Sequence, residues 1–137
     1  MADSIRRMDY FYVMVSDKPG QGAKVVDGLA KAGVNLLAFS GFPQGKKAQV
    51  VFVPDDAKAF RKAAKKMKLK VSKAKTAFLI QGDDRVGALT REFSKLAGAK
   101  INVTAVDAVA AGKGRFGAIL WVKQKNVKKA AKALGAK

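Results

Sequence analysis

The chain has 137 residues, room for one ordinary domain or two very small ones, and 49% apolar against 28% charged residues is a globular balance. It contains no Cys and no His, which excludes thiolate and imidazole metal sites, cysteine nucleophiles, histidine-based triads and a disulfide framework. Lys and Arg number 28 against 10 acids, and the net charge of +18 makes an anionic partner a live expectation.

The polar opening, Met1 to Met8, holds no apolar core with a cleavage site. Tyr10 to Val15 is aromatic and β-branched, and predicts a strand. Asp17-Lys18-Pro19-Gly20 is turn chemistry. Ala23, Val26, Leu29 and Ala30 then give one face of a helix ending near Gly33. Val34 to Ser40 predicts a second strand, Gly41 to Lys47 a Gly/Pro loop, and Ala48 to Val53 a third strand stopped by Pro54. Phe60, Ala63, Ala64 and Met67 form the buried stripe of a second helix, and Lys70 to Ala74 can supply a fourth strand. The same order follows again: Thr76 to Gln81, Ala88 to Ala99, Ile101 to Val109, Gly117 to Val122, and Asn126 to Leu134. No apolar run is long enough for a membrane span, so no membrane partner is expected and the cytoplasm is the expected location.

The second series repeats the first. Asp17-Lys18-Pro19-Gly20 and Asp84-Arg85-Val86-Gly87 lie 67 residues apart, and the same offset pairs Leu29 with Leu96, Val34 with Ile101 and Asn35 with Asn102. It also pairs Phe60 to Lys65 with Val127 to Lys132. Val50 to Val53 matches Ile119 to Val122 at an offset of 69, which implies two extra residues near Ala111 to Arg115. Such register over many apolar positions marks a duplication. The fold class is α+β, two ferredoxin-like βαββαβ units with antiparallel sheets and helices on one face, residues 9–75 and 76–137. The second unit ends before its fourth strand, and residues 4–8 align by the offset with Val71 to Lys75. The N-terminal stretch is therefore expected to fill that place, in its own chain or in a partner's.

The turn Asp17-Lys18-Pro19-Gly20 followed by Gly33-Val34-Asn35-Leu36, and Asp84-Arg85-Val86-Gly87-Ala88-Leu89 followed by Lys100-Ile101-Asn102-Val103, resemble the ACT domain, a ferredoxin-like regulatory module that binds amino acids. Gly112 to Val122, running into Val127 to Leu134, looks like small bacterial proteins built of two ACT units. Two departures stand out: Val86 where the turn usually has Pro, and Lys100 where the first copy has Gly33. The resemblance implies two units side by side in one sheet, with ligands at their interface. The turn of one unit, Asp17, Gly20 and Gln21 or Asp84, Gly87 and Ala88, would face Asn102 and Val103 or Asn35 and Leu36 of the other. Physics agrees on an anion at such a turn, because a Gly at a helix start lets backbone amides approach a carboxylate. Asp17 and Asp84 are placed to meet the ligand's ammonium, or serve as helix caps. Gly20 and Gly87 are turn requirements as well, and Asn35 and Asn102 can simply end helices. Phe52 and Trp121 are expected in the core.

The expected function is noncatalytic: a small amino acid or related carboxylate is sensed, and the signal passes to a regulated protein in trans or through assembly into a homo-oligomer. No catalytic residues, metal or cofactor are expected, since acid–base chemistry would rest on Asp, Glu92, Lys or Tyr in no recognisable spacing. The competing reading is RNA or other polyanion binding. Lys113-Gly114-Arg115-Phe116-Gly117-Ala118 is similar to the third-strand motif of RNA-recognition modules, with Arg115 interrupting it and Phe78 as a first-strand aromatic. Nucleic acid is not the expected partner, although charge leaves polyanion contact open. Nine cations between Lys58 and Lys75 and six between Lys123 and Lys137 carry most of that charge, on helix faces expected to be solvated.

Overall fold

The computed structural model describes residues 3–137. Among them are six strands and four α-helices, an α+β arrangement. They are β1 Ser4–Ser16, α1 Gln21–Lys31, β2 Leu36–Gln44, β3 Lys47–Pro54, α2 Ala57–Lys66, β4 Lys75–Asp83, α3 Thr90–Gly98, β5 Ala105–Gly112, β6 Arg115–Trp121 and α4 Val127–Leu134. The chain divides into two compact units, Asp9–Lys75 and residues 3–8 with Thr76–Lys137.

In the first unit the strand order is β2-β3-β1, all antiparallel. The period-2 alternation of β1 turns Phe11 and Val13 to one face, where Val50 and Phe52 of β3 join them. Helices α1 and α2 cover that face with Val25, Leu29, Phe60, Ala63 and Ala64. Asp56 caps α2, its carboxylate accepting the amides of Lys58 and Ala59 at 3.0 and 3.1 Å. The buried face of α1 is rotated from the expected one: Val25 and Leu29 point inward, whereas Ala23 and Ala30 are exposed. The expected loop from Gly41 to Lys47 is mostly strand. Only Gly45 and Lys46 form the turn, and Pro43 is accommodated because β2 pairs with β3 alone in this unit. Lys70 to Ala74 is not a regular strand. Ser72 nevertheless pairs with Tyr12: its amide donates to the Tyr12 carbonyl at 3.0 Å, and its hydroxyl oxygen accepts the Tyr12 amide at 3.0 Å. A side chain has taken the place of a carbonyl in the ladder.

The second unit has the order β4-β6-β5, antiparallel again. Phe78, Ile80, Phe116 and Leu120 line its helix-covered face under Leu96, Ala130, Ala131 and Leu134. Residues 3–8 belong to this unit. Arg6 Nη2 donates to Gln81 Oε1 at 3.3 Å, and Ile5 packs on the core. Their backbone also pairs with the last residue: the Arg7 amide donates to the Lys137 carbonyl at 3.0 Å and the Lys137 amide to the Ile5 carbonyl at 3.1 Å.

The pairing corrects the repeat's register. Phe11 lies opposite Phe52 in the first unit and Phe78 opposite Leu120 in the second, so Phe52 corresponds to Leu120 and not to Trp121. Both residues are fully buried, while Trp121 is only half-buried. A one-residue shift exchanges the two faces of a strand, which is why the expected core tryptophan lies outside the core cluster. The hairpin holds one extra residue up to this point, not two. It is Ala111, absorbed by a bulge in β5 between Ala110 and Gly112.

All four helices end the same way. The amide after the last turn reaches back three residues and the next amide reaches back five: Gly33 to Ala30 and Val34 to Leu29, Lys68 to Lys65 and Leu69 to Ala64, Lys100 to Ala97 and Ile101 to Leu96, Gly135 to Lys132 and Ala136 to Ala131. This closure demands a left-handed residue. Gly33 and Gly135 supply it freely, whereas Lys68 and Lys100 adopt φ of 57° and 60° with a side chain present. At each repeated position one copy has Gly and the other Lys. A left-handed non-Gly residue costs roughly 1 kcal/mol or more. Replacing Lys100 by Gly is therefore expected to stabilise the protein by about 1 kcal/mol, or roughly 4 °C in Tm by calorimetry. The equivalent change at Lys68 should do the same.

Candidate ligand sites at the strand–helix turns

The first turn is tight. Beyond β1 the Lys18 amide donates to the Ser16 carbonyl at 2.8 Å, and the Gln21 amide to the Lys18 carbonyl at 3.3 Å. Gly20 sits at φ 89° as the residue preceding α1, a conformation that favours glycine. The first helical bond runs from the Lys24 amide to the Gly20 carbonyl at 3.1 Å. No described side chain caps α1, so beyond the Gln21 amide, which meets Lys18, the first-turn amides of Gly22 and Ala23 have neither an intrahelical acceptor nor a side-chain one. Asp17, three residues ahead of Gly20, is exposed and Gln21 is half-buried. The capping role is thus not taken up by Asp17, and the helix start is left open to an anion.

The second turn differs in length. The Asp84 amide is anchored to the Gly114 carbonyl in the β5–β6 turn at 2.8 Å, and Gly87 sits at φ 71°. The Thr90 amide then donates to the Gly87 carbonyl at 3.0 Å, and α3 begins only at Thr90 rather than at Ala88. Ala88 is therefore outside the first helical turn. It lines a cavity of about 220 Å³ with Asp84, Leu89, Val109 and Phe116. Asp84 does not cap α3; the residue before the helix is Leu89, and no described side chain bonds there.

The asparagines lie elsewhere in their own units. Asn35 is exposed and accepts the Asp55 amide at its carbonyl at 2.9 Å, while Leu36 packs partly buried on the first core. Asn102 and Val103 line a cavity of about 490 Å³ with Phe93, Leu96, Lys100 and Ile101. Within the second unit, then, Asp84 and Ala88 share one cavity and Asn102 and Val103 another.

Two charged residues of the second unit, Arg85 and Glu92, lie outside the set of ligand residues that the turn motif implies. Arg85 grips Asp3 through two contacts of 3.2 Å and also donates to the Asp83 carbonyl at 2.8 Å. The hydrogen bond to Asp3, opposed by partial desolvation, raises the pKa of a guanidinium that is already always charged. Glu92 is the one buried charged residue among those described. The repeat offset carried a signal for it, since it pairs Glu92 with the apolar Val25.

The aromatics of the RNA-like motif face inward. Phe78 is fully buried and Phe116 is 6% exposed, so neither is available to stack a base. Among the described residues, no helix is long and apolar enough to cross a membrane.

No family model matches the chain, and no curated protein does. Solved structures do. A protein of Bacteroides thetaiotaomicron superposes with a TM-score of 0.80 at 17% identity, covering 97% of this chain and 88% of that one. The ligand-free regulatory subunit of aspartate kinase from Thermus thermophilus gives 0.65 at 17% identity, covering 98% and 95%. The corresponding regulatory subunit from Thermus flavus gives 0.55 at 17%, covering 98% and 94%. Such identities speak to fold, and the fold is ACT-like: antiparallel α+β of the ferredoxin type.

Proposed function

We propose that the chain is a noncatalytic regulatory module of the tandem ACT type, which binds a small amino acid or related carboxylate and signals to a partner protein in trans. The observation that carries this reading is the uncapped start of α1 behind Gly20, with an exposed Asp17 three residues ahead of that glycine. Open amides suit a carboxylate and Asp17 suits an ammonium, so the turn offers both halves of amino-acid recognition. The likeness in fold to regulatory subunits of aspartate kinase supports a regulatory role over a catalytic one.

A thermal-shift screen over the common amino acids tests the reading. A true ligand held at 100 times its dissociation constant should stabilise the fold by about 2.7 kcal/mol. A screen in which none raises Tm contradicts it.

Polyanion binding is the second reading, and the exposed cations Lys58, Arg61, Lys62, Lys65 and Lys66 on α2, with Lys128, Lys129 and Lys132 on α4, favour it. Affinity for RNA that falls steeply with salt and ignores sequence would mark that contact as charge alone.

A further inference from the structure

The second unit contains a cavity of about 430 Å³ between the start of β1, the face of α3 and the end of α4. Its volume falls in the range of small-molecule sites. Glu92 lines it, only 3% exposed, and its Oε1 has no hydrogen-bond partner among the described residues. A carboxylate oxygen so deeply buried is costly unless something donates to it.

The duplication shows that the fold does not require this arrangement. The position of Glu92 is taken in the first unit by Val25, a core residue. There Met67 packs so closely on Gly28 that its methyl lies where a Cβ on Gly28 would stand. The offset of 67 turns Met67 into the shorter Leu134 and Gly28 into Lys95, which is exposed and lines the cavity. One copy is filled with apolar atoms; the other has an opening with a carboxylate inside it.

The charges around that opening select its occupant. Asp3 and Arg85 neutralise each other through their paired contacts. Arg91, Lys95 and Lys137 are exposed around the same cavity. A simple cation, metal or amine, would meet this positive rim, and a simple anion would meet Glu92 inside. We infer that the cavity is a binding site for a small zwitterion, whose ammonium donates to Glu92 while its carboxylate meets Arg91 and Lys95. This is a site separate from the strand–helix turns, and it does not rest on the reading given to them.

Titration of the ¹⁵N-labelled full chain with glycine, β-alanine and 4-aminobutyrate tests the inference, with ethylamine and propionate as single-headed controls. At least one zwitterion should shift the amides of Arg91 to Lys95 and Leu134 to Lys137, and both controls should bind more weakly. Glu92→Gln should reduce that affinity about tenfold or more, the effect of losing a charge-assisted hydrogen bond. Glu92→Leu should abolish it and raise Tm in the absence of ligand, because an apolar residue suits this position as Val25 suits its counterpart. Asp17→Asn should leave these shifts unchanged, which separates this site from the turn. The inference is overturned if no zwitterion moves these amides up to its solubility, if the controls bind equally well, if binding survives Glu92→Leu, or if Glu92→Leu lowers Tm.

Discussion

Deleting residues 1–8 is expected to unfold the second unit selectively. Residues 4–8 lie in its sheet, where Arg7 and Ile5 exchange backbone hydrogen bonds with Lys137. Ile5 adds apolar contact to the core of Phe78, Leu120 and Leu134, and Asp3 holds Arg85. Each backbone bond contributes about 1 kcal/mol net, and burying most of an isoleucine about 1.5 kcal/mol. With the remaining sheet contacts of these residues, the deletion should cost on the order of 4–5 kcal/mol, a large part of the stability of an ordinary small domain. Hydrogen exchange of the truncated chain should show lost protection in Thr76–Lys137 and retained protection in the Phe11, Phe52 and Phe60 cluster. An unchanged Tm would mean that the N-terminal stretch adds nothing to this unit.

The second large effect belongs to the first core. Phe60 on α2 is fully buried, its ring stacked on Phe11 at 4.8 Å between centroids and tilted against Phe52 at 5.5 Å. Helix α2 otherwise buries only the two alanines Ala63 and Ala64, so this ring is the main apolar anchor between helix and sheet. Phe60→Ala should destabilise the protein by about 3–5 kcal/mol, transfer and cavity terms together. Denaturant titration should show the midpoint falling, with most of the loss in the first unit. A change below about 1 kcal/mol would mean that the site collapses around the missing ring.

The order of elements and the duplication are legible in the sequence because strands announce themselves by β-branched runs and helices by apolar periodicity, and both signals occur twice. Phe60, Ala63 and Ala64 are buried as their spacing requires. What the spacing left ambiguous is rotation and register. On α1 one face carries Ala23, Val26 and Ala30 and another carries Val25, both sharing Leu29; the second is buried, and Met67 packs closely on Gly28 of the same helix. At β6 two alignments of Ile119-Leu120-Trp121 were equally apolar, and cross-strand pairing with Phe78 selects Leu120. Ser72 carries no strand signal at all, since its role depends on a hydroxyl reaching the Tyr12 amide. The turns were recognisable from Asp and Gly at fixed spacing. Where α3 begins was not, because that depends on the bond from Thr90 to Gly87. The buried carboxylate of Glu92 was visible only as a mismatch with Val25, a comparison that gains meaning once the face of α1 is known.

Whether the first turn holds an amino acid is tested most directly by calorimetric titration of Asp17→Asn beside Asp84→Asn. Asn caps a helix about as well as Asp, so the substitution preserves any capping and removes only the charge. Pro19 restricts the backbone ahead of Gly20, whereas Val86 leaves the second turn more freedom to lose on binding. The first site should therefore bind the amino acid found by thermal shift more tightly than the second. Loss of the charge-assisted contact from Asp17 should weaken that binding by about 1.5–3 kcal/mol, roughly ten- to a hundredfold. Asp84→Asn should produce the smaller loss. Unchanged affinity in both variants would contradict ligand contact at either turn, and a larger loss at Asp84 would reverse the order of the two sites.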